Sequence, residues 1–434
     1  MKKHVKLIFL FTLLFVGHSQ QAEAQFWKKL FGKDEPKRKT PVKKPAVKKD
    51  KPAAPKTTTN TKKKFDINYP KSVTKQRYRI DVLVPLYLDE LVVDGKPVNK
   101  GRFPDKAVSG MDFYEGLKLA ADTLDGQGYN IDVYVHDITD SKHTPEALLA
   151  KKILDSSDLI IGAVQSQQIG GVAKLANKNK VNFISALSPS DADTKENPYF
   201  ILMQPSLETH CKWIVDRLGR KYKNKKTVLY YRNSVPVDKE AYEYVTADKD
   251  ISYQQVLANT LPTKQQLTPL FDSNSVNVIT VAVLDVAYAE SLLQQLSQWF
   301  PQYDFEVYGM PSWRSLSGLR KTGSYANVTI NITAPFYFDG STASGQSIAA
   351  MYKKAYGSSK PGEMVYRGYE TMYWFAYLLN KYGTIFNEKL NDNGIAPFTR
   401  YEIKPKWDAS GNLLYNENMH VHLYRYKDGS FTVE

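Results

Sequence analysis

Polar side chains follow two short apolar segments of the chain, at positions where α/β proteins commonly bind ligands. Ser166 and Gln167 follow an apolar segment that ends at Gly162, and Ser188 follows the next apolar segment. In an open α/β sheet, the carboxyl ends of parallel strands meet at one edge, where helix N-termini present free backbone N–H groups. Hydroxyl and amide groups placed there hydrogen-bond the polar atoms of a ligand. The pattern therefore predicts a cleft for binding and not for catalysis.

Each of these candidates also has an ordinary structural explanation. Serine at the start of a helix is commonly an N-cap that contacts no ligand, so Ser166 fits both descriptions. Tyr230, Tyr231 and Trp313 suit the aromatic walls of a pocket for a sugar or an amino acid. Aromatic residues in such strands are as commonly buried in the core. Both interpretations stay open at the level of the sequence.

The sequence does not contain the short motifs of the common catalytic classes. It has no G-x-S-x-G, no H-E-x-x-H, no phosphate-binding loop and no dinucleotide-binding fingerprint. His420 and His422 alternate on a predicted strand and share one face, as two metal ligands would. No third ligand lies near them in the sequence. We therefore expect a protein that is not an enzyme and uses neither a metal nor a cofactor.

The first 24 residues have the composition of a secretory signal peptide. Lys2, Lys3 and Lys6 precede an apolar run of about ten residues, and Ala22-Glu-Ala24 supplies an A-x-A cleavage site. The run is shorter than the roughly 20 residues that span a bilayer, which disfavours the alternative of an uncleaved anchor. No cysteine lies near the cleavage site, so we do not expect a lipoprotein. The sequence predicts a periplasmic protein.

The net charge of +14 is concentrated in one segment. Residues 28–64 contain fifteen Lys/Arg and three Asp/Glu, and residues 65–434 carry no net charge. A nucleic-acid-binding domain normally has a basic surface of its own, so nucleic acid is not an expected partner. The basic segment has too little apolar content to fold, and residues 25–65 are predicted to be a disordered linker. It is either a solvated spacer or a contact to an anionic membrane or wall polymer.

The single cysteine, Cys211, excludes an intrachain disulfide. Cys211 lies in a segment with helical periodicity of apolar residues, which predicts a buried structural thiol. An exported domain without disulfides must be stabilised by its core, and a chain of this length is long enough for two lobes.

Predicted strands and helices alternate from Tyr78 onward, which indicates parallel sheets with helices on both faces. The alternation restarts after Gln204-Pro205, and the restart predicts two similar lobes. The last strands have the pattern of a small antiparallel addition. We predict one domain at residues 66–434, divided as follows: 78–204 and 336–390 in lobe 1, and 206–335 and 395–434 in lobe 2.

Seven segments occur in an order that matches a known superfamily. They are residues 84–86, 111–120, 135–137, 160–166, 184–188, 197–206 and 368–376. From residue 78 to 434 the chain resembles the type I periplasmic binding protein superfamily, of the leucine/branched-chain amino-acid receptor type. The resemblance implies an α/β fold of two Rossmann-like lobes with parallel sheets, joined by a three-crossing hinge and closing around a ligand.

Three segments most resemble an exported subgroup from Bacteroidetes-type bacteria, whose members are often fused to LysM modules. These segments are Asp112-Phe-Tyr-Glu-Gly116, Asp158-Leu-Ile-Ile-Gly162 and Glu196-Asn-Pro198. A related use of the fold is the outer-membrane activator of peptidoglycan synthases, which regulates a partner protein.

The resemblance also implies which residues bind the ligand. In amino-acid receptors of this superfamily, residues at the positions of Ser166, Ala186 and Ser188 hold the carboxylate and the amine of the ligand. An acid of the second lobe that binds the amine corresponds to Asp285. The Tyr-Gly of the family's second lobe is absent, because this chain has Tyr-Arg after Tyr230.

Two hypotheses of function follow from these patterns. The first is a solute-binding receptor that captures a small polar, amino-acid-like ligand, with the permease of an ABC transporter as its protein partner. The second is a cell-wall regulator or scaffold on the same fold, such as an activator of a peptidoglycan synthase. Fold alone does not distinguish them.

Overall fold

The computed structural model describes residues 67–94, 96–98, 104–222, 226–247, 251–357, 360–392, 398–399 and 401–434. The signal peptide expected at residues 1–24 and the linker predicted at residues 25–65 lie outside this part of the chain. Among the described residues, none of the helices combines the length and the hydropathy that a membrane span requires.

Strands and helices alternate along the chain as the sequence predicts. The first part contains β1 (Tyr78–Val84), α1 (Leu88–Leu91), β2 (Val92–Val93), β3 (Lys96–Pro97), α2 (Asp105–Gly126), β4 (Ile131–Asp137), α3 (Pro145–Ala150), β5 (Leu159–Gly162), α4 (Ser166–Asn179), β6 (Asn182–Ser185) and β7 (Phe200–Leu202). The middle part contains α5 (Leu207–Lys221), β8 (Thr227–Tyr231), α6 (Pro236–Val245), β9 (Tyr253–Leu257), α7 (Lys264–Leu267), β10 (Asn277–Ala282), α8 (Val286–Trp299), β11 (Phe305–Gly309) and β12 (Val328–Ala334).

The last part contains α9 (Ala343–Tyr356), α10 (Glu363–Tyr382), β13 (Ile403–Trp407), β14 (Leu413–Asn418), β15 (His422–Lys427) and β16 (Ser430–Val433). Short 3₁₀ turns lie at Ile153–Ser156, Thr268–Leu270, Pro311–Ser315 and Asn387–Lys389.

These strands form two seven-stranded sheets, one in each lobe, and β2 and β3 form a separate hairpin. The order is β13-β14-β7-β6-β5-β1-β4 in lobe 1 and β16-β15-β12-β11-β10-β8-β9 in lobe 2. Adjacent strands are parallel throughout the run β7-β6-β5-β1-β4 of the first sheet. They are also parallel throughout the run β12-β11-β10-β8-β9 of the second sheet. The chain crosses between the sheets three times, after β7, after β12 and after β14. The predicted two-lobed α/β fold with a three-crossing hinge is therefore confirmed.

The structure corrects one lobe boundary. The segment 395–434 was expected in lobe 2, but β13 and β14 belong to the sheet of lobe 1. Asn416 and Glu417 of β14 pair in parallel with Ile201 and Leu202 of β7. Only β15 and β16 join lobe 2, where β15 pairs antiparallel with β12. The addition is therefore shared between the lobes, and the third crossing lies inside it.

Local sequence explains how the helices near the hinge begin and pack. Ser206 is the N-cap of α5, and its hydroxyl accepts a hydrogen bond from the backbone N–H of Thr209. Apolar residues of α4 recur at helical spacing and are buried, as in an amphipathic helix that packs on a sheet. These residues are Ile169, Val172, Ala173 and Ala176.

Two helices of lobe 1 cross at unusually close range because each has a glycine at the contact. A Cβ atom added at Gly116 of α2 would lie 1.9 Å from the carbonyl oxygen of Val365, and one at Gly368 of α10 would lie 2.0 Å from that of Phe113. Close approach of backbones is a common reason for glycine inside a helix. The contact fixes α10 against lobe 1 and so places the side chains of its first two turns.

Cys211 is buried in the core of lobe 2, in agreement with the predicted structural thiol. Burial raises the pKa of this thiol well above its ordinary range. The thiolate is therefore strongly disfavoured, and Cys211 is a packing residue.

Candidate functional site

The two predicted serines of lobe 1 lie together at the carboxyl ends of β5 and β6. The hydroxyl oxygens of Ser166 and Ser188 are 3.3 Å apart, and the backbone N–H of Ser190 donates to the Ser188 hydroxyl. Ser188 is buried, and Ser166 is partly exposed as the first residue of α4. The N-cap of α4 is Gln165, so the interpretation of Ser166 as an ordinary N-cap is wrong. The Ser166 hydroxyl is directed to the second strand end instead.

The other two predicted residues of lobe 1 have different environments. Gln167 is exposed, and its side-chain amide donates to the side-chain oxygen of Gln165 at 2.6 Å. Ala186 is buried, and its backbone N–H donates to the carbonyl oxygen of Gly162. The carbonyl oxygen of Ala186 accepts a hydrogen bond of 3.3 Å from Nη2 of Arg367. The predicted strand end is therefore connected to α10.

Arg367 is a buried cation at the hinge that the sequence analysis missed. Its side chain is 5% exposed and donates through Nη2 to Oε1 of Gln204 at 3.0 Å. Its guanidinium carbon lies 5.4 Å from the ring centre of Phe336. Gln204 is in the first crossing and Phe336 in the second. Nη1 of Arg367 and Nε2 of Gln204 are buried without a hydrogen-bond partner.

A largely buried ion pair joins the two lobes. Arg314 lies in the 3₁₀ turn after β11, and Glu363 is the first residue of α10. Nη2 of Arg314 is 2.7 Å from Oε2 of Glu363, and the two side chains are 12% and 11% exposed. Burial opposes both charges, but the mutual attraction outweighs it, raising the pKa of Arg314 and lowering that of Glu363. The lobes are therefore held together at this point.

Two of the predicted residues of lobe 2 lie at strand ends and already have partners within the lobe. Asp285 is exposed and acts as the N-cap of α8, accepting a hydrogen bond of 3.0 Å from the N–H of Tyr288. Tyr231 is half-buried and stacks on Tyr242, with ring centres 4.1 Å apart. Asp285 has a clear local role, and its contact with a ligand amine stays a prediction.

The other two predicted residues of lobe 2 are core residues. Tyr230 and Trp313 have no solvent-exposed surface. The indole N–H of Trp313 donates to the carbonyl oxygen of Val283 at 2.8 Å, which satisfies its only donor. Of the two interpretations left open by the sequence, the structure supports burial for Tyr230 and Trp313. The structure therefore brings together Ser166, Ala186 and Ser188, and it does not place these two aromatic side chains with them.

A second arginine lies at the carboxyl edge of the sheet in lobe 2. Nε of Arg232 donates to Oδ2 of Asp238 at 2.6 Å, and Nη1 is 3.8 Å from Oδ2 of Asp285. Asp238 is fully buried and also accepts a hydrogen bond from the N–H of Leu284. This pair fixes the ends of β8 and β10 and places a cation beside Asp285.

The two histidines considered as metal ligands lie in and after the third crossing. Their ring centres are 4.7 Å apart. Burial, with smaller contributions from His420 and Arg314, lowers the pKa of His422 to about 4, so its ring is neutral at pH 7. Among the described residues, no three His, Cys, Asp or Glu side chains are grouped so that they could hold a metal ion.

Glu370 is a further buried carboxyl group on α10. It accepts hydrogen bonds from the backbone N–H groups of Phe398 and Thr399 and from the hydroxyl of Tyr401, at 3.2, 2.7 and 3.0 Å. Burial raises its pKa to about 7, although these donors favour the charged form. The carboxylate therefore supplies only part of a negative charge to the hinge at neutral pH.

Glu370→Gln is expected to make the stability of the chain less sensitive to pH between pH 5 and pH 8. A carboxyl group whose pKa is raised by folding makes its full contribution to the free energy of unfolding below its unfolded pKa of about 4.3. That contribution to stability is lost as the pH rises through the folded pKa of about 7. Glutamine keeps an acceptor for the two N–H groups and carries no charge. Denaturant midpoints at both pH values measure the effect; an equal fall in the variant and the wild type would contradict it. The exposed Glu402→Gln is the control.

The missed residues have a signal in the sequence, although a weak one. Arg367 and Glu370 are charged residues inside a helix that is otherwise rich in buried apolar and aromatic side chains. Buried charges of this kind are rare unless they are paired or functional. The partner of Glu363 is Arg314, 49 positions away in the other lobe, and no local pattern indicates such a pair.

Comparisons with known proteins agree with this fold. A family model described as "Periplasmic binding protein" matches residues 104–393. A search of curated proteins found no match. Solved structures with similar folds include an ABC transporter substrate-binding protein from Desulfitobacterium hafniense in complex with Leu. It is 17% identical with a TM-score of 0.52, and the match covers 83% of this chain and 100% of that one.

Two further structures share the fold at low sequence identity. A branched-chain amino acid ABC transporter periplasmic ligand-binding protein from Burkholderia xenovorans is 14% identical with a TM-score of 0.55, over 82% of this chain and 94% of that one. Full-length LpoA from Haemophilus influenzae is 13% identical with a TM-score of 0.51, over 85% of this chain and 60% of that one. The family model spans more than half of the chain, and its fold is the one described above. The chain belongs to the periplasmic binding protein family.

Proposed function

We propose that the chain is an exported, non-enzymatic solute-binding receptor that captures a small polar, amino-acid-like ligand between its lobes. The observation that carries this proposal is the pair of hydroxyl groups of Ser166 and Ser188, 3.3 Å apart at the carboxyl ends of β5 and β6. Ligands of open α/β sheets bind at this edge. Family membership and the similarity to substrate-binding proteins of ABC transporters support the proposal.

The same proposal includes the cellular location and the protein partner of the chain. An exported receptor of this family works in the periplasm and passes its ligand to the permease of an ABC transporter. The basic linker, at residues 25–65, would then keep the lobes near an anionic membrane or wall polymer. Closure would be a rotation of the lobes about the three crossings.

A second candidate is a cell-wall regulator or scaffold, such as an activator of a peptidoglycan synthase. One observation favours it: the pair of Arg314 and Glu363 joins the lobes directly. A protein that acts through its outer surface needs no further closure. The similarity to LpoA shows a shared fold and is no evidence of a shared function.

A thermal-shift screen of the purified chain with the twenty L-amino acids and common sugars tests the receptor proposal. A ligand at 100 times its Kd stabilises the folded state by about 2.7 kcal/mol, which raises the melting temperature by several degrees. If no compound raises the melting temperature and a membrane-bound synthase is co-purified, the second candidate replaces the first.

The double substitution Ser166→Ala and Ser188→Ala is expected to weaken binding of the compound found in that screen by about tenfold or more. Each hydroxyl that binds a charged group of the ligand contributes about 1.5–3 kcal/mol. Ser291→Ala is the matched control, because Ser291 is partly exposed on α8 and its hydroxyl donates to the carbonyl of Ala287 within the same helix. Titration calorimetry measures the three affinities, and equal values for all three chains would show that the serines do not bind the ligand.

A further inference from the structure

We propose that the cleft is built for an anionic ligand, one carboxylate of which is bound by Arg367. This inference rests on the proposed function and adds the charge of the ligand to it. The inference is drawn from the buried N–H donors at the hinge. An uncharged ligand bound by Ser166 and Ser188 would leave these donors without a role.

The first observation is a pair of unused donors on two groups that are bonded to each other. Arg367 donates through Nη2 to Oε1 of Gln204, and this leaves Nη1 of Arg367 and Nε2 of Gln204 buried without hydrogen-bond partners. A buried donor without a partner destabilises a protein, because the group loses its hydrogen bonds to water and gains none in exchange. Both unused groups are N–H donors, so the group that would satisfy them is an acceptor.

The second observation is the charge of the hinge. The hydrogen bonds of Arg367 go to two neutral oxygen atoms, those of Ala186 and Gln204. Glu363, one turn earlier on α10, is hydrogen-bonded to Arg314. Burial lowers the pKa of Arg367, the direction expected of a cation whose charge is incompletely balanced. Two buried guanidinium groups thus share one fully ionised carboxylate, and an anion from the ligand would restore the balance.

The third observation is the position of Arg367 relative to the predicted site. Its guanidinium binds the carbonyl oxygen of Ala186, and Ser188, two residues later, faces the hydroxyl of Ser166. The guanidinium and the hydroxyl pair are therefore held by the same short loop after β6. A planar guanidinium with a free N–H matches a carboxylate in geometry and in charge. A ligand with one polar end on the serines and a carboxylate on Arg367 satisfies both groups.

The test compares acids with their amides on the intact chain. Titration calorimetry is done with L-glutamate against L-glutamine, L-aspartate against L-asparagine, and L-leucine as a neutral reference. We expect at least one acid to bind about tenfold or more tighter than its amide, because a hydrogen bond to a charged group is stronger than one between neutral groups. Arg367→Gln is expected to bring the ratio of acid to amide affinity close to one. Arg77→Gln, an exposed arginine paired with Asp132, is the control and should keep the ratio.

The outcomes separate this inference from the proposed function. If an amide or L-leucine binds as tightly as any acid or more tightly, the inference is wrong and the receptor proposal stands. If no compound of the wider thermal-shift screen binds, both are wrong. If Arg367→Gln does not fold, the ratio measured on the wild-type chain alone decides the question.

Discussion

Replacing Glu363 with glutamine is expected to lower the free energy of unfolding by about 3–5 kcal/mol, the effect of removing one partner from a buried ion pair. Glu363 is 11% exposed, and Arg314 on the other lobe is 12% exposed. Without the carboxylate, Arg314 loses the partner of its ion pair, and Arg367 loses a negative charge that favours its ionised form. The same change should weaken the attachment of one lobe to the other.

Denaturant unfolding of Glu363→Gln and of Asp132→Asn measures this effect against a matched control. Asp132 pairs with Arg77 on the surface, where the two side chains are 41% and 53% exposed. Exposed pairs contribute about 0–1 kcal/mol, so Asp132→Asn should unfold close to the wild type. Small-angle X-ray scattering should show a larger radius of gyration for Glu363→Gln. Equal unfolding midpoints for the two variants would mean that the pair does not hold the lobes together.

Gly116→Ala is expected to destabilise lobe 1 by about 3 kcal/mol, at the upper end of the usual range for overpacking a core. The added Cβ atom would lie 1.9 Å from the carbonyl oxygen of Val365 and 2.8 Å from the backbone nitrogen of Tyr369. Backbone atoms cannot move aside by changing a rotamer, so α2 and α10 must separate. That separation would also displace Glu363 and Arg367 from the hinge.

Gly126→Ala provides the control in the same helix. A Cβ atom at Gly126, the last residue of α2, meets no heavy atom within 4 Å. Replacing glycine by alanine at a permissive helical position changes stability by about 1 kcal/mol or less, in the favourable direction. Thermal melts of both variants make the comparison. If Gly116→Ala melts at the temperature of Gly126→Ala, the close helix crossing is not a determinant of stability.

The fold was predictable because its signals are local. The apolar segments that became β5, β6, β8 and β10 are short, and the helices between them have a clear period of apolar residues, so the alternation of the two types could be seen directly. The restart after Pro205 coincides with the first crossing. The assignment of 395–434 failed because pairing of β14 with β7 joins residues more than 200 positions apart. Periodicity identifies a strand and does not say which sheet it joins.

Only the part of the candidate site that lies at the carboxyl ends of β5 and β6 was predictable from the sequence. Ser166 and Ser188 come together because β5 and β6 are parallel neighbours, and parallel neighbours end at the same edge. Arg314, Glu363 and Arg367 were missed because their partners are distant in sequence. The aromatic residues Tyr230, Tyr231 and Trp313 were ambiguous in the sequence. The hydrogen bond from Trp313 to Val283 joins residues 30 positions apart, and no local pattern indicates it.

Hydrogen–deuterium exchange tests most directly whether a ligand is bound between the lobes. The chain is labelled with and without the compound that gives the largest thermal shift. Binding in the cleft predicts slower exchange at residues 163–168 and 186–190 of lobe 1 and at residues 284–288 of lobe 2, which follow the carboxyl ends of β5, β6 and β10. Slower exchange at both lobes would support the account. Unchanged exchange at these three segments, with protection elsewhere on the surface, would contradict it.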